Sequence, residues 1–206
     1  MPYPVSVSVD PPKGPRNRLT TAFRLILAIP HFILVGGVAT SIASRNSWGF
    51  GIEGGILGGI AGVLAVVSWF TIVLGGTHIA GIREFSRFYL RWRVRALAYA
   101  MLLEDQYPPF GEGTYPTTFD VVEPALPRHR LSVGFRLLLV IPQLVVLFFV
   151  TIVWCVTAFV GWISILIVGD YPKALYDFGV GVLRWRVRVE AYLLLLVDEY
   201  PPFSLE

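Results

Sequence analysis

Residues 137–169 read LLLVIPQLVVLFFVTIVWCVTAFVGWISILIVG, thirty-three positions without one Asp, Glu, Lys or Arg. Two more uncharged stretches precede it, Leu25–Ser44 with 20 residues and Gly54–Ile82 with 29. Runs of about 18 or more such residues mark membrane-spanning helices. Apolar residues make up 55% of the chain and charged ones 15%, against about 45–50% and about 25% in soluble domains. Mean hydropathy is +0.65. This balance excludes a soluble enzyme, a disordered tail and a secreted disulfide scaffold. The single Cys155 leaves nothing for a disulfide framework or a thiolate metal cluster. The start, Met1-Pro2-Tyr3-Pro4-Val5, lacks the basic and then apolar order of a secretory signal.

Outward from these runs the chain repeats itself. Tyr3–Pro30 aligns with Tyr115–Pro142 at an offset of 112, with 14 identities in 28 pairs. Trp69–Phe110 aligns with Trp162–Phe203 at an offset of 93, with 19 identities in 42 pairs. The second block contains Leu90-Arg-Trp-Arg-Val-Arg95, identical to Leu183–Arg188, and closes on Tyr107-Pro-Pro-Phe110 and Tyr200-Pro-Pro-Phe203. The difference in offset gives the first copy 19 extra residues, read most simply as 44–62. Repeat 1 is then 1–112 and repeat 2 is 113–206.

In repeat 1, residues 25–43 and 55–75 are each long enough to cross about 30 Å of hydrocarbon, with a loop over 44–54. In repeat 2, one straight helix through 137–169 would run about 50 Å, which exceeds a bilayer. Charge placement favours a hairpin there, short, tilted or re-entrant, turning near Thr151–Thr157. All 17 basic residues lie outside the apolar runs and only Arg45 falls in the expected hairpin loop; two spans per copy collect the other sixteen on one face, which the positive-inside rule makes cytoplasmic. An even number of crossings makes the copies parallel repeats about an axis along the membrane normal.

After each hairpin comes a basic, aromatic segment, 81–104 and 174–197. Arg83, Arg87, Arg91 and Arg95 recur every four residues, the period of a helical stripe. The pattern predicts amphipathic helices at the cytoplasmic interface, with Arg stems snorkelling. Residues 4–9 and 116–121 alternate apolar and polar side chains as short strands do.

The Tyr-Pro start, the Arg-rich entry to an Ile-Pro segment, the Leu-Arg-Trp block and the closing Asp-x-Tyr-Pro-Pro-Phe together resemble a bacterial membrane family, domain of unknown function 4389, in two tandem copies. The first copy departs from the pattern at Gly76-Thr77-His78-Ile79, where the second has Gly169-Asp170-Tyr171-Pro172. The resemblance implies an integral protein of the bacterial inner membrane. It carries over no catalytic residue and no cofactor.

The candidate binding residues are Arg91, Trp92, Arg93, Arg95, Arg184, Trp185, Arg186 and Arg188. Clustered basic residues beside a bilayer attract anionic headgroups at about 1 kcal/mol each. Nucleic acid is not an expected ligand for a patch flanked by membrane spans. Gly55, Gly58, Gly59 and Gly62 bring small residues onto one helix, the pattern of close packing within or between protomers. His31, His78 and His129 share no metal-ligand spacing, and no nucleophile motif occurs. Asp105 and Asp198 read as partners for arginine.

The fold expected is therefore an all-α integral membrane protein of two parallel repeats. Each is a transmembrane helical hairpin plus an interfacial amphipathic helix, with short extended strands at its start and both termini cytoplasmic. The function expected is non-catalytic: a scaffold or accessory subunit presenting a basic surface to anionic lipids or a partner membrane complex, in a possible homo-oligomer. The alternative is a small oligomeric transporter or channel around the glycine-rich helix.

Overall fold

The alternating segments at the two repeat starts pair with each other. In a computed structural model describing residues 3–12, 14–38, 55–124, 128 and 130–206, β1 (Val5–Val9) lies antiparallel to β2 (Thr117–Val121). Val7 faces Phe119, its own counterpart at the offset of 112, so a pseudo-twofold axis passes through that pair. Val5, Val7, Val9, Thr117 and Phe119 turn inward, while Ser6, Ser8, Thr118 and Asp120 face out. Alternation at period two makes one face of the ribbon apolar and the other wet.

The helices follow as α1 (Arg18–Ala22), α2 (Arg24–Val35), α3 (Gly55–Gly75), α4 (Ala80–Ala100), α5 (Arg130–Gly134), α6 (Arg136–Ile167) and α7 (Lys173–Leu193). Asn17 caps α1, its side chain accepting from the Leu19 and Thr20 amides, as an N-cap does. Among the described residues two helices, α3 and α6, are long and apolar enough to cross a membrane.

The hairpin expected within 137–169 does not form. α6 runs through it as one helix of 32 residues, about 48 Å long at 1.5 Å per residue. Thr151 and Thr157, the expected turn, stay helical, with the Thr157 hydroxyl bonded to the Trp154 carbonyl at 3.0 Å. No Gly, Pro or Asn pair supplies a reversal there. A stripe at steps of three and four, Val140, Gln143, Leu147, Thr151, Trp154, Ala158, Gly161 and Ile165, is buried along the whole length.

Repeat 1 contains the same rod in two pieces. α2 stops at Val35, well short of the span expected over 25–43. Gly36 then turns away at φ +78°. α3 begins against the end of α2, so close that a Cβ on Gly55 would lie 2.6 Å from the Ile33 carbonyl oxygen. By the two offsets Val35 matches Leu147 and Gly55 matches Phe148, consecutive residues of α6. The 19 extra residues are therefore 36–54 rather than 44–62. The expected loop over 44–54 lies outside the described residues.

α4 and α7, expected as amphipathic surface helices, are covered on most sides. They form the interior, with Tyr89–Leu90 and Trp92–Ala100 buried in α4 and most of Gly179–Tyr192 buried in α7. They pack on each other, with the ribbon on one side and the rods α2–α3 and α6 on the other. Both end at residues 100 and 193 rather than 104 and 197, in matching reversals. Leu102 and Leu195 take left-handed φ of 65° and 63°. Leu103 N–H reaches back to the Ala98 carbonyl at 2.8 Å, and Leu196 N–H to Ala191 at 3.0 Å, closing each helix in a Schellman motif. A leucine there costs about 1–2 kcal/mol over glycine. Burial of both side chains, worth about 1.5–3 kcal/mol each, offsets it.

The rods run antiparallel. Trp69, near the end of α3, donates to the Val133 carbonyl of α5 at 2.9 Å, and Trp162, near the end of α6, donates to Thr21 of α1 at 2.9 Å. Each repeat thus clasps the entrance of the other.

Candidate functional site: an arginine–carboxylate interior

Between α4 and α7 the matched pair Arg93 and Arg186 shares one carboxylate. Arg93 Nε donates to Glu190 Oε2 at 2.8 Å and Arg186 Nε donates to Glu190 Oε1 at 3.1 Å. The guanidinium groups also cap the broken end of α2: Arg93 donates to the Val35 and Gly37 carbonyls, and Arg186 to Val38 at 2.7 Å. Carbonyls freed at a helix end need such donors when buried. Burial pushes the Glu190 carboxyl up, but the two arginines outweigh it and hold it below the usual range. At position 97, the counterpart of Glu190, repeat 1 has leucine. The centre is the place where the repeats cannot be identical, since one acid serves both.

Two further clusters sit at matched ends. Arg24 NH1 donates to the Glu104 carbonyl at 2.6 Å and to Tyr99 at 3.2 Å, its NH2 reaches Asp105 at 2.7 Å, and Arg16 completes the group 3.1 Å from Asp105. In repeat 2, Arg136 donates to the Tyr192 carbonyl at 2.7 Å and to Asp198 at 2.9 Å, while Arg128 holds Asp198 and the Leu195 carbonyl. Arg24 and Arg136 stack over Tyr99 and Tyr192 at 4.6 and 4.2 Å. The planar, multiply donating fork suits arginine and no other side chain. The left-handed leucines turn these carbonyls toward the arginines. Nearby, Trp92 Nε1 donates to His31 Nδ1 at 2.9 Å and Trp185 Nε1 to Gln143 Oε1 at 2.8 Å. Buried indoles here find an acceptor on the rod, His in one copy and Gln in the other.

The expected lipid-binding set is thus divided. Trp92, Arg93, Arg95, Trp185 and Arg186 are at most 7% exposed, so they serve packing and internal pairing rather than headgroups. Arg91, Arg184 and Arg188 are half-buried beside the ribbon: Arg91 lies 3.7 Å from Glu112, Arg184 donates to the Val7 carbonyl at 3.1 Å and Arg188 to Ser204. Of the glycines, Gly55 abuts α2 and Gly58 faces the Tyr89 hydroxyl, whereas Gly59 and Gly62 have open space where a Cβ would go. Periodicity missed this division because a half-basic, half-apolar helix carries the same pattern on a membrane and beneath a cover. One signal was available: residues 90–95 and 183–188 are identical, as two surfaces must be when they pack around a common axis and cap the same groups.

Glu104 is 2% exposed, beside Thr117. Burial raises its carboxyl to about 7, against the pull of Arg16. Among the described residues no group of three or more His, Cys, Asp or Glu could hold a metal ion. His129 lies outside them. Two apolar grooves separate the rods at matched places, one of about 210 Å³ floored by Arg136 and Leu195, the other of about 460 Å³ floored by Arg24 and Leu102.

A family model described as a domain of unknown function, DUF4389, matches residues 49–111 and again 130–204. The chain belongs to the DUF4389 family. The double match, one in each repeat, bears out two tandem copies and covers α3, α4, α6 and α7, the helices that carry the central pair. No curated protein and no solved structure matches the chain. The family description assigns no reaction.

Proposed function

We propose that this DUF4389 chain is a non-catalytic scaffold or accessory subunit of the bacterial inner membrane. Its rods contact lipid, the basic residues at the rod ends meet anionic headgroups, and its ribbon side faces the cytoplasm and a partner complex. The observation that carries this reading is the outer face of the rods. Ile56, Ile60, Val63, Val67, Phe70 and Leu74 of α3 are exposed, as are Leu138, Ile141, Val145, Phe149, Ile152, Val156, Phe159, Ile163 and Ile167 of α6. Leaving these fifteen side chains about half exposed to water would forgo roughly 10–20 kcal/mol at about 1.5–3 kcal/mol per full burial. That is as large as the whole stability of a typical domain, about 5–15 kcal/mol. A surface of this size needs lipid or a permanent partner.

Among the described residues the basic surface is Arg83, Arg87, Arg91, Arg184 and Arg188, half-buried, with the exposed Arg18, Arg130 and Lys173. Extraction of the protein in native nanodiscs, followed by mass spectrometry of its lipids and co-purifying proteins, tests the reading. We expect enriched anionic lipid, reduced by Arg18→Glu with Arg130→Glu, or a stoichiometric membrane partner, reduced by Arg91→Glu with Arg184→Glu. Finding neither would sink the proposal. The channel alternative gains no specific support, because Gly55 and Gly58 pack within the chain.

A further inference from the structure

We infer that the protein lies in the plane of the membrane, embedded in one leaflet by the outer faces of α2, α3 and α6, with neither long helix crossing. This inference rests on the proposed membrane residence and gives it an orientation.

Three observations converge. First, length: α6 has 32 helical residues, about 48 Å, so fitting it across about 30 Å of hydrocarbon needs a tilt near 50°, beyond the roughly 0–40° that spanning helices show. Second, the same side of α6 is buried from Arg136 to Ile165 and the opposite side is apolar throughout. A helix that lies flat on a protein core and sinks its other side into acyl chains has this pattern. Third, the ribbon runs alongside the helices rather than capping their ends. Thr117 meets Glu104 near the end of α4, and the Val121 carbonyl meets Arg87 near its start. Its outer face carries Ser6, Ser8, Thr118 and Asp120, flanked by the Arg91–Glu112 pair. Were the rods to cross the bilayer, this polar face and the two strand edges beside it would stand at the same depth in hydrocarbon, where lipid-exposed sheet edges do not occur.

Laid flat, the layers separate by chemistry. Lipid meets the rods, α4 and α7 form the middle with their arginines paired, and the ribbon meets water. The pseudo-twofold then stands along the membrane normal, and antiparallel rods need no crossing. The exposed Arg18 and Arg130, near rod ends at Gly169 and Gly76, lie at headgroup depth.

The test uses the full chain with Cys155→Ser and one added cysteine, in right-side-out and inside-out membrane vesicles treated with a membrane-impermeant maleimide. Ala80→Cys and Lys173→Cys are matched, exposed positions at opposite ends of the antiparallel rods, and Asp120→Cys marks the ribbon. We expect all three to label from one side, to within about twofold. Native Cys155, exposed on the mid-length of α6, should label with a lipid-soluble maleimide and at least about tenfold less with the impermeant one. Labelling of Ala80→Cys and Lys173→Cys from opposite sides would overturn the flat orientation while leaving membrane residence intact. A chain recovered from the soluble fraction, its rods covered by a second copy, would overturn both.

Discussion

Replacing Glu190 with glutamine should be among the most destabilising single changes in the molecule. The carboxylate accepts from Arg93 at 2.8 Å and from Arg186 at 3.1 Å, and both arginines are nearly inaccessible. Charge-assisted hydrogen bonds are worth about 1.5–3 kcal/mol each, and removing one partner of a buried ion pair costs about 3–5 kcal/mol. Glutamine fills the same space but leaves two guanidinium groups facing each other without the anion between them. We therefore expect Glu190→Gln to lose about 3–5 kcal/mol, measured by denaturant unfolding in mild detergent with tryptophan fluorescence. The exposed Glu199→Gln serves as control. Because the folded state holds Glu190 below its ordinary value of 4.5, its contribution is present above that pH and is lost on acidification. The variant should lack this acid-side loss. Adding Arg186→Met should recover part of the stability, because the like-charge pair is gone. A loss under about 1 kcal/mol for Glu190→Gln would refute the reasoning, since the two arginines would then be satisfied without the acid.

Glu104 should act in the opposite sense: raised by burial to about 7, it favours folding fully below pH 4.5 and loses that contribution as pH rises through 7. Glu104→Gln should flatten this decline and be the more stable protein at pH 8, by about 1–3 kcal/mol, in melts across that range. Arg136→Lys should cost about 2–3 kcal/mol in the same unfolding assay, because an ammonium cannot hold the Tyr192 carbonyl and Asp198 while stacking on the Tyr192 ring. A Cβ on Gly161 would come within 1.9 Å of the buried Tyr171 ring, whereas one on Gly59 meets nothing within 4 Å. Gly161→Ala should thus lose about 1–3 kcal/mol by overpacking. Gly59→Ala should be neutral or gain up to about 1 kcal/mol, and Gly59→Leu should leave the oligomeric state unchanged on light scattering. A change of state would restore the glycine stripe as a protomer interface.

Local pattern carried much of the fold. Alternation placed both strands, since the pleat makes period two visible in five residues. Uncharged length marked α3 as a long apolar helix and 137–169 as an apolar membrane segment, but not as the single helix it forms. Asp105 and Asp198 were readable as arginine partners, although the arginines they meet, Arg16, Arg24, Arg128 and Arg136, come from the far end of each repeat. Two readings failed for one reason. Hydropathy scores a residue without knowing what covers it, so the arginine-bearing α4 and α7 read as surface helices when they are the interior. Parity of charge likewise suggested a hairpin in α6, whereas the segment runs as one helix with one side covered along its whole length.

From residue order alone came the duplication, the apolar rods and the pairing of acid with arginine, all of which depend on spacing along the chain or on composition. Folding in three dimensions settled which side of each helix is covered. It set Arg93 and Arg186 on either side of one glutamate and fitted two helices of repeat 1 end to end as the equal of one in repeat 2. Such facts depend on what lies across the axis rather than along the chain, and a guanidinium becomes tolerable in an interior only when carbonyls and a carboxylate from distant segments converge on it.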